Sequence, residues 1–233
     1  MRSIVCWLWS DGGRGYRPEH VNVVHRMFRR HLAGEFRFIC ITDETEGFEA
    51  GIEVMPTPPE AAALAHLRTP EGGLFPSCYR RLWMFSDAAR CLGDRVLLVD
   101  IDLLVVGNAE RLFAPAADFV GWKPTASWGH NNNRIGGGLY LMTPGTQTHV
   151  WDDFKGQESI VEARQAGYRG SDQAWISYKL WGCPLYGKEA GIYSIRDLKN
   201  GAKPPPQNAV LIQHNGTTKP WTSRIQWVKD AWR

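Results

Sequence analysis

The sequence lacks the signatures of several common enzyme classes. It has no G-x-x-x-x-G-K-[ST], no H-E-x-x-H and no G-x-S-x-G segment, so the phosphate-loop, zinc-peptidase and nucleophile-elbow readings lose their support. The triple glycine Gly136-Gly137-Gly138 does not follow G-x-G-x-x-G spacing, which leaves a nicotinamide site without a fingerprint. Cysteine is scarce: Cys6, Cys40, Cys78, Cys91 and Cys183 are odd in number and contain no C-x-x-C pair. That pattern fits neither a disulfide framework nor a zinc site. No apolar run approaches the roughly 20 residues of a membrane-spanning helix. The opening residues 1–9 are apolar for too short a distance to be a signal peptide and read as a first strand, so a cytoplasmic location is the expectation. Neither sign of charge dominates: 27 Lys+Arg face 24 Asp+Glu, a net charge of +3. A polyanionic partner is not demanded, although a local basic surface is permitted.

What is present is ordinary globular material. The 233 residues are 43% hydrophobic and 22% charged, enough for a sizeable core without staples. The 11 Trp stand out; such residues line pockets or pack in cores, with an N–H that wants a partner. Residues 3–9 read as a strand and 20–32 as a helix with apolar Val23, Val24, Met27 and Phe28. Strands are expected over 36–42, ending at Asp43, and over 52–55, where Pro56, Pro58 and Pro59 follow. The spacing of Leu82, Phe85, Ala88 and Ala89 predicts a helix over 78–91, and 95–100 is an apolar strand of central type. This alternation argues for an α/β fold with a mixed, mostly parallel sheet and helices on both faces. In the second half, strands are expected over 118–122, 139–142 and 210–214, and helices within 144–166, over 170–178 and near the tail from 225 to 232. No repeat and no long linker divides the chain. The expectation is one domain over 1–233, with a Rossmann-like nucleotide-binding half (1–106) and a second half (107–233) carrying a closing C-terminal segment.

The chemistry concentrates in Val96-Leu97-Leu98-Val99-Asp100-Ile101-Asp102-Leu103-Leu104-Val105. Two carboxylates close together repel and are costly to desolvate, so an apolar strand carries them only with compensation. A divalent cation supplies it: hard oxygen ligands suit Mg²⁺ or Mn²⁺, and the ion can hold a diphosphate. The pair sits at a strand's carboxyl end, where open α/β sheets bind ligands. A strand that simply ends in solvated acids is the plainer alternative.

Four segments in order now resemble one family. Tyr79, Arg81 and Leu82 precede the Asp100/Asp102 strand; Asp172-Gln173 opens a later helix; His214, Gly216, Lys219, Pro220 and Trp221 close the series. The series resembles the GT-A nucleotide-sugar glycosyltransferases, most closely the family 8 type, over residues 77 to 221. The chain is also similar to uncharacterised bacterial and phage members with a Cys-Trp-x-Trp first strand and Ser-Cys-Tyr-Arg-Arg-Leu and Gly-Ser-Asp-Gln-Ala-Trp segments.

The resemblance implies a GT-A domain and a metal-dependent hexosyltransferase using a UDP-sugar, with retention of configuration. Asp100 and Asp102 would bind Mn²⁺ or Mg²⁺, and His214 would complete the ligands, favouring Mn²⁺. Lys219 would neutralise the leaving diphosphate, Gly216 would let the backbone approach, and Ile101 and Trp221 would border the donor. Arg81 would contact the donor and Arg80 would face solvent, though adjacent arginines can exchange roles. Trp7, Trp9 and Asp11 would hold base and ribose, with core packing as the alternative for the tryptophans, and Asp43 would add a ribose or base contact. Asp172 and Gln173 would sit beside the sugar. A carboxamide is a poor nucleophile, so a front-face route is implied; an inverting enzyme would need Asp172 or Asp152 as base. One departure concerns the family's Asn-x-Gly: here the place reads Arg134-Ile135-Gly136-Gly137-Gly138, with Asn131, Asn132 and Asn133 as nearby substitutes.

For the acceptor, loops 61–76 and 123–134 mix Arg68, Lys123, Trp128, His130 and Arg134. Basic and aromatic residues together track phosphates and stack on bases, which with the phage resemblance makes a hydroxymethylated pyrimidine in DNA the candidate acceptor, flipped out if it lies in a duplex. A surface polysaccharide or a small molecule is the alternative. Two rivals are a metal-dependent nucleotidyltransferase or sugar-phosphate hydrolase, and a non-catalytic binding module on a dead transferase fold.

Overall fold

The computed structural model describes residues 1–9, 15–71, 78–122, 132–214 and 219–233. In chain order the elements are β1 (Arg2–Leu8), α1 (Pro18–His31), β2 (Arg37–Thr42), β3 (Ile52–Pro56), α2 (Pro59–Ala62), β4 (Arg95–Val99), β5 (Leu103–Val105), β6 (Phe119–Trp122) and β7 (Gly136–Met142). They continue through α3 (His149–Asp152), α4 (Gln157–Gln165), α5 (Asp172–Lys179), β8 (Leu185–Tyr186), β9 (Ile192–Ser194), β10 (Leu211–Gln213) and α6 (Gln226–Ala231). Seven strands form a mixed sheet in the order β3-β2-β1-β4-β7-β6-β8, and β5-β10-β9 form a smaller one.

The strands pair in parallel from β3 through β2 and β1 to β4, and β7 then runs antiparallel to β4 and β6. The chain leaves β1 through α1 toward one side and later returns to β4 on the other. Such a switch opens a crevice beyond the carboxyl ends of β1 and β4.

Period-two alternation decides what each face buries. Ile4, Cys6 and Leu8 of β1, with Leu97 and Val99 of β4, join Val21, Val24, Met27 and Phe28 of α1 and the small sheet in one core. Val5 and Trp7, with Val96 and Leu98, face Tyr79, Leu82, Phe85, Ile160, Trp175 and Ile176 in the other. Helix α1 carries Pro18 in its first turn and Arg29, Arg30 and His31 in its last, the polarity that suits the helix dipole.

One expectation needs correction and two are refined. The helix over 78–91 is two 3-10 segments, Tyr79–Phe85 and Asp87–Leu92, broken at Ser86 (φ −72°, ψ 159°). All seven residues from Tyr79 to Phe85 are buried, so no solvent face imposes a 3.6-residue period and packing sets the winding. The helix within 144–166 is two, α3 and α4, with Gly156 at φ +62° as the N-cap of α4. The strand expected at 139–142 begins at Gly136, so the triple glycine lies within β7. Among the described residues no helix is long and apolar enough to cross a membrane.

Candidate active site

The long apolar run over 96–105 breaks at Asp100-Ile101-Asp102, where the chain passes between sheets. The Asp100 N–H donates to the Gly138 carbonyl at 2.8 Å, ending the β4–β7 ladder. The His214 N–H donates to the Asp102 carbonyl at 2.9 Å, extending the β5–β10 ladder. Pairing therefore brings His214 beside Asp102 although 112 positions separate them by number.

Two cations hold these carboxylates. Arg81 Nη1 donates to Asp100 Oδ1 at 2.6 Å, and its Nε donates to Asp172 Oδ2 at 2.8 Å. Asp172, at the start of α5, is buried and also accepts from Ser171 Oγ at 3.0 Å. Asp102 Oδ2 accepts from the Tyr16 hydroxyl at 2.9 Å and is ion-paired with Lys219, whose Nζ donates to the same hydroxyl at 2.7 Å. Among the described residues, three carboxylates thus meet two cationic side chains in ion pairs, Arg81 and Lys219. Burial, and then Asp100, push the Asp102 carboxyl up to about 6, against the pull of Lys219 and Tyr16. Burial likewise raises Asp172, opposed by Arg81.

The glycines of β7 explain how these groups fit. A Cβ on Gly137 would stand 2.8 Å from Arg81 Nη2, and one on Gly138 would stand 2.7 Å from Asp100 Oδ2. Gly136 carries the ring of Trp122 where its side chain would be. Glycine in a strand marks a close approach, here by the site's own side chains. Gly138→Ala is expected to displace the Asp100 carboxylate and lower turnover by about 10²-fold with the fold retained. Circular dichroism beside a turnover assay checks it, and unchanged turnover in a folded variant would remove Gly138 from the site.

The other predicted residues divide. Gln173 Oε1 accepts from the Gly137 N–H at 3.4 Å, and its Nε2 lies over Gly170 (φ +92°), where a Cβ would meet it at 2.7 Å. Ile101 is buried beside the carboxylates. Trp7 is a core residue, edge-on to Trp9 and Trp83, and Trp9 stands just past β1. Arg80, expected on the solvent face, is instead buried with its guanidinium 5.1 Å from the Trp9 ring centre. Asp43 is exposed just beyond β2. Trp221 stacks on His20 (3.9 Å, 13° between planes) and meets Tyr16 edge-on at 5.3 Å. Asn132 and Asn133 spend their amides on the carbonyls of Ala166 and Arg169. Asp11, Asn131 and Gly216, with the acceptor-loop residues Lys123, Trp128 and His130, lie outside the described residues. Sequence reasoning missed Tyr16, Ser171 and the role of the β7 glycines; the run of three glycines opening an apolar strand was the one available signal.

Among the described residues no three His, Cys, Asp or Glu side chains stand grouped as a metal site. The donor chemistry nonetheless suits a hard divalent cation: the carboxylates of Asp100 and Asp102, with the backbone of His214 paired to that of Asp102.

No protein-family model matches the sequence, and no curated protein matches it. Solved structures do match. The galactosyltransferase LgtC, in complex with donor and acceptor sugar analogs, aligns with TM-score 0.63 at 17% identity over 99% of this chain and 91% of that one. An active-site mutant of LgtC aligns at 0.64 and 15% identity over 98% and 94%. The glycosyltransferase GlyE of Streptococcus pneumoniae TIGR4 aligns at 0.59 and 13% identity, over 99% of this chain and 59% of that one. The fold is the GT-A type expected from the sequence.

Proposed function

We propose that this chain is a glycosyltransferase moving a hexose from a nucleoside diphosphate sugar, a UDP-sugar, to an acceptor hydroxyl, with a divalent cation held by Asp100, Asp102 and His214. One observation carries the reading: among the described residues, three carboxylates gather at the carboxyl end of β4 against two cationic side chains. Carboxylates gathered this way suit a cation, and a cation there suits an anionic ligand in the β1–β4 crevice.

The bound cation would supply charge stabilisation for the departing diphosphate. Lys219, in hydrogen-bond reach of Asp102, adds a positive charge on the same side. Arg81 fixes Asp100 and Asp172 relative to each other, and Asp172 and Gln173 then bound the sugar from the start of α5. Both Asp172 oxygens are engaged, Oδ2 by Arg81 and Oδ1 by Ser171, which suits positioning rather than attack or base catalysis. Asp152, the other candidate base, is exposed on α3. This supports transfer with retention, the acceptor's proton passing to the leaving phosphate oxygen.

The candidate acceptor is a hydroxymethylated pyrimidine in DNA. A glycan hydroxyl is the second reading, favoured because the guanidinium groups of Arg68 and Arg134 donate to backbone carbonyls of the chain itself. The test incubates a panel of nucleotide sugars with Mn²⁺ and the protein, with and without hydroxymethylcytosine DNA, and reads nucleoside diphosphate release. Release stimulated by the DNA is the expected outcome; slow release indifferent to DNA moves the acceptor to a glycan. Release of a nucleoside monophosphate or of pyrophosphate instead would put a hydrolase or nucleotidyltransferase in its place.

A further inference from the structure

Lys219 occupies the carboxylate that the proposed cation needs. Its ammonium is ion-paired with Asp102 Oδ2 and donates to the Tyr16 hydroxyl at 2.7 Å, and both side chains are largely shielded, 13% and 7% exposed. An ammonium and a divalent cation on one buried carboxylate oxygen repel strongly. We infer that Lys219 is the resident counter-ion of the cation-free site: it neutralises Asp102 until a divalent cation binds, then leaves Asp102 and turns its charge to the diphosphate. This inference rests on the proposed function.

The surroundings suit such an exchange. The segment after Lys219 is fixed by aromatic packing: Trp221 stacks on His20, meets Tyr16 edge-on, and lies 5.6 Å from Trp232. The Lys219 stem is flexible, so its ammonium can move while the backbone at 220–222 stays seated. Tyr16 serves as the pivot. Its hydroxyl donates to Asp102 and accepts from Lys219, and its ring lies 5.0 Å from the ammonium, a second attraction for a displaced cation. A buried carboxylate without a partner is strongly disfavoured, so a site that must empty and refill needs an internal cation on a movable arm.

The exchange predicts opposite effects from one substitution. Removing the competitor should tighten binding of the cation alone, whereas a residue that merely organises the site would loosen it. Mn²⁺ is titrated without nucleotide into the wild type, Lys219→Met and Lys219→Arg, with free Mn²⁺ read by electron paramagnetic resonance. UDP is then titrated calorimetrically into each protein in saturating Mn²⁺, and near-ultraviolet circular dichroism checks the fold.

The expected result is Mn²⁺ binding tightened at least about tenfold in Lys219→Met and little changed in Lys219→Arg, with UDP binding weakened at least about tenfold in Lys219→Met. Unchanged or weaker Mn²⁺ binding by folded Lys219→Met, with Mn²⁺-dependent UDP binding intact in the wild type, overturns the exchange alone. A wild type that binds no Mn²⁺ even with UDP overturns the proposed function, and the exchange with it.

Discussion

Arg81→Met is expected to lower the free energy of unfolding by about 3–5 kcal/mol, the usual consequence of removing one partner from a buried ion pair, and to abolish transfer. The Arg81 side chain is 8% exposed and that of Asp172 1%, so their contact has almost no solvent to fall back on. Methionine keeps much of the length and apolar stem but leaves Asp172 with Ser171 as its remaining side-chain hydrogen-bond donor among the described residues and frees Asp100 from its tie to α5. Arg81→Lys should recover part of the stability and little of the activity, because a point charge cannot bridge two carboxylates as a planar fork does. Denaturant unfolding of the three proteins checks this. A loss below about 1 kcal/mol in Arg81→Met, the range of an exposed pair, would mean that the bridge is not a structural element.

Asp102→Asn should act in opposite directions on turnover and on stability. Turnover should fall by about 10²–10³-fold or more, the scale of losing one group that stabilises charge in the transition state. Stability follows from linkage. The folded carboxyl titrates at about 6 against an ordinary value of 3.8, so the native state holds the proton more tightly than the unfolded chain. Its contribution is fully present below about 4 and is lost as pH rises through 6. Asparagine has no such loss, so in cation-free buffer the stability of the variant relative to the wild type should climb between pH 4 and 6 by up to about 1.4 kcal/mol per pH unit, then level off. Added Mn²⁺ should stabilise the wild type above pH 6 and leave the variant unmoved. A stability difference that is flat with pH would show that Asp102 is not a strained carboxylate.

The first half of the fold was legible because its elements are periodic. Alternating Ile4, Cys6 and Leu8 against Val5 and Trp7 announce a strand buried on both faces, and the stripe of α1 announces its inner side. The Asp-x-Asp pair was legible because charge at the end of an apolar strand is anomalous. Legibility failed where burial is complete: Tyr79–Phe85 has no exposed face, so no periodicity reports its winding. It failed again where contacts join distant positions. Tyr16 meets Asp102 across 86 residues and Lys219 across 203, and nothing local to a tyrosine in a Gly-Tyr-Arg-Pro loop signals either partner. Arg80 and Arg81 are chemically identical neighbours, and only packing assigns one to Trp9 and the other to the carboxylates.

The central claim, a cation-dependent nucleoside diphosphate site built on Asp100 and Asp102, meets its most direct test in UDP binding by calorimetry with and without Mn²⁺. The account predicts that wild-type protein binds UDP in Mn²⁺, that binding weakens at least about tenfold when the cation is chelated, and that folded Asp102→Asn binds weakly in either buffer. UDP binding of equal strength with and without the cation, or equal in the variant, would contradict it.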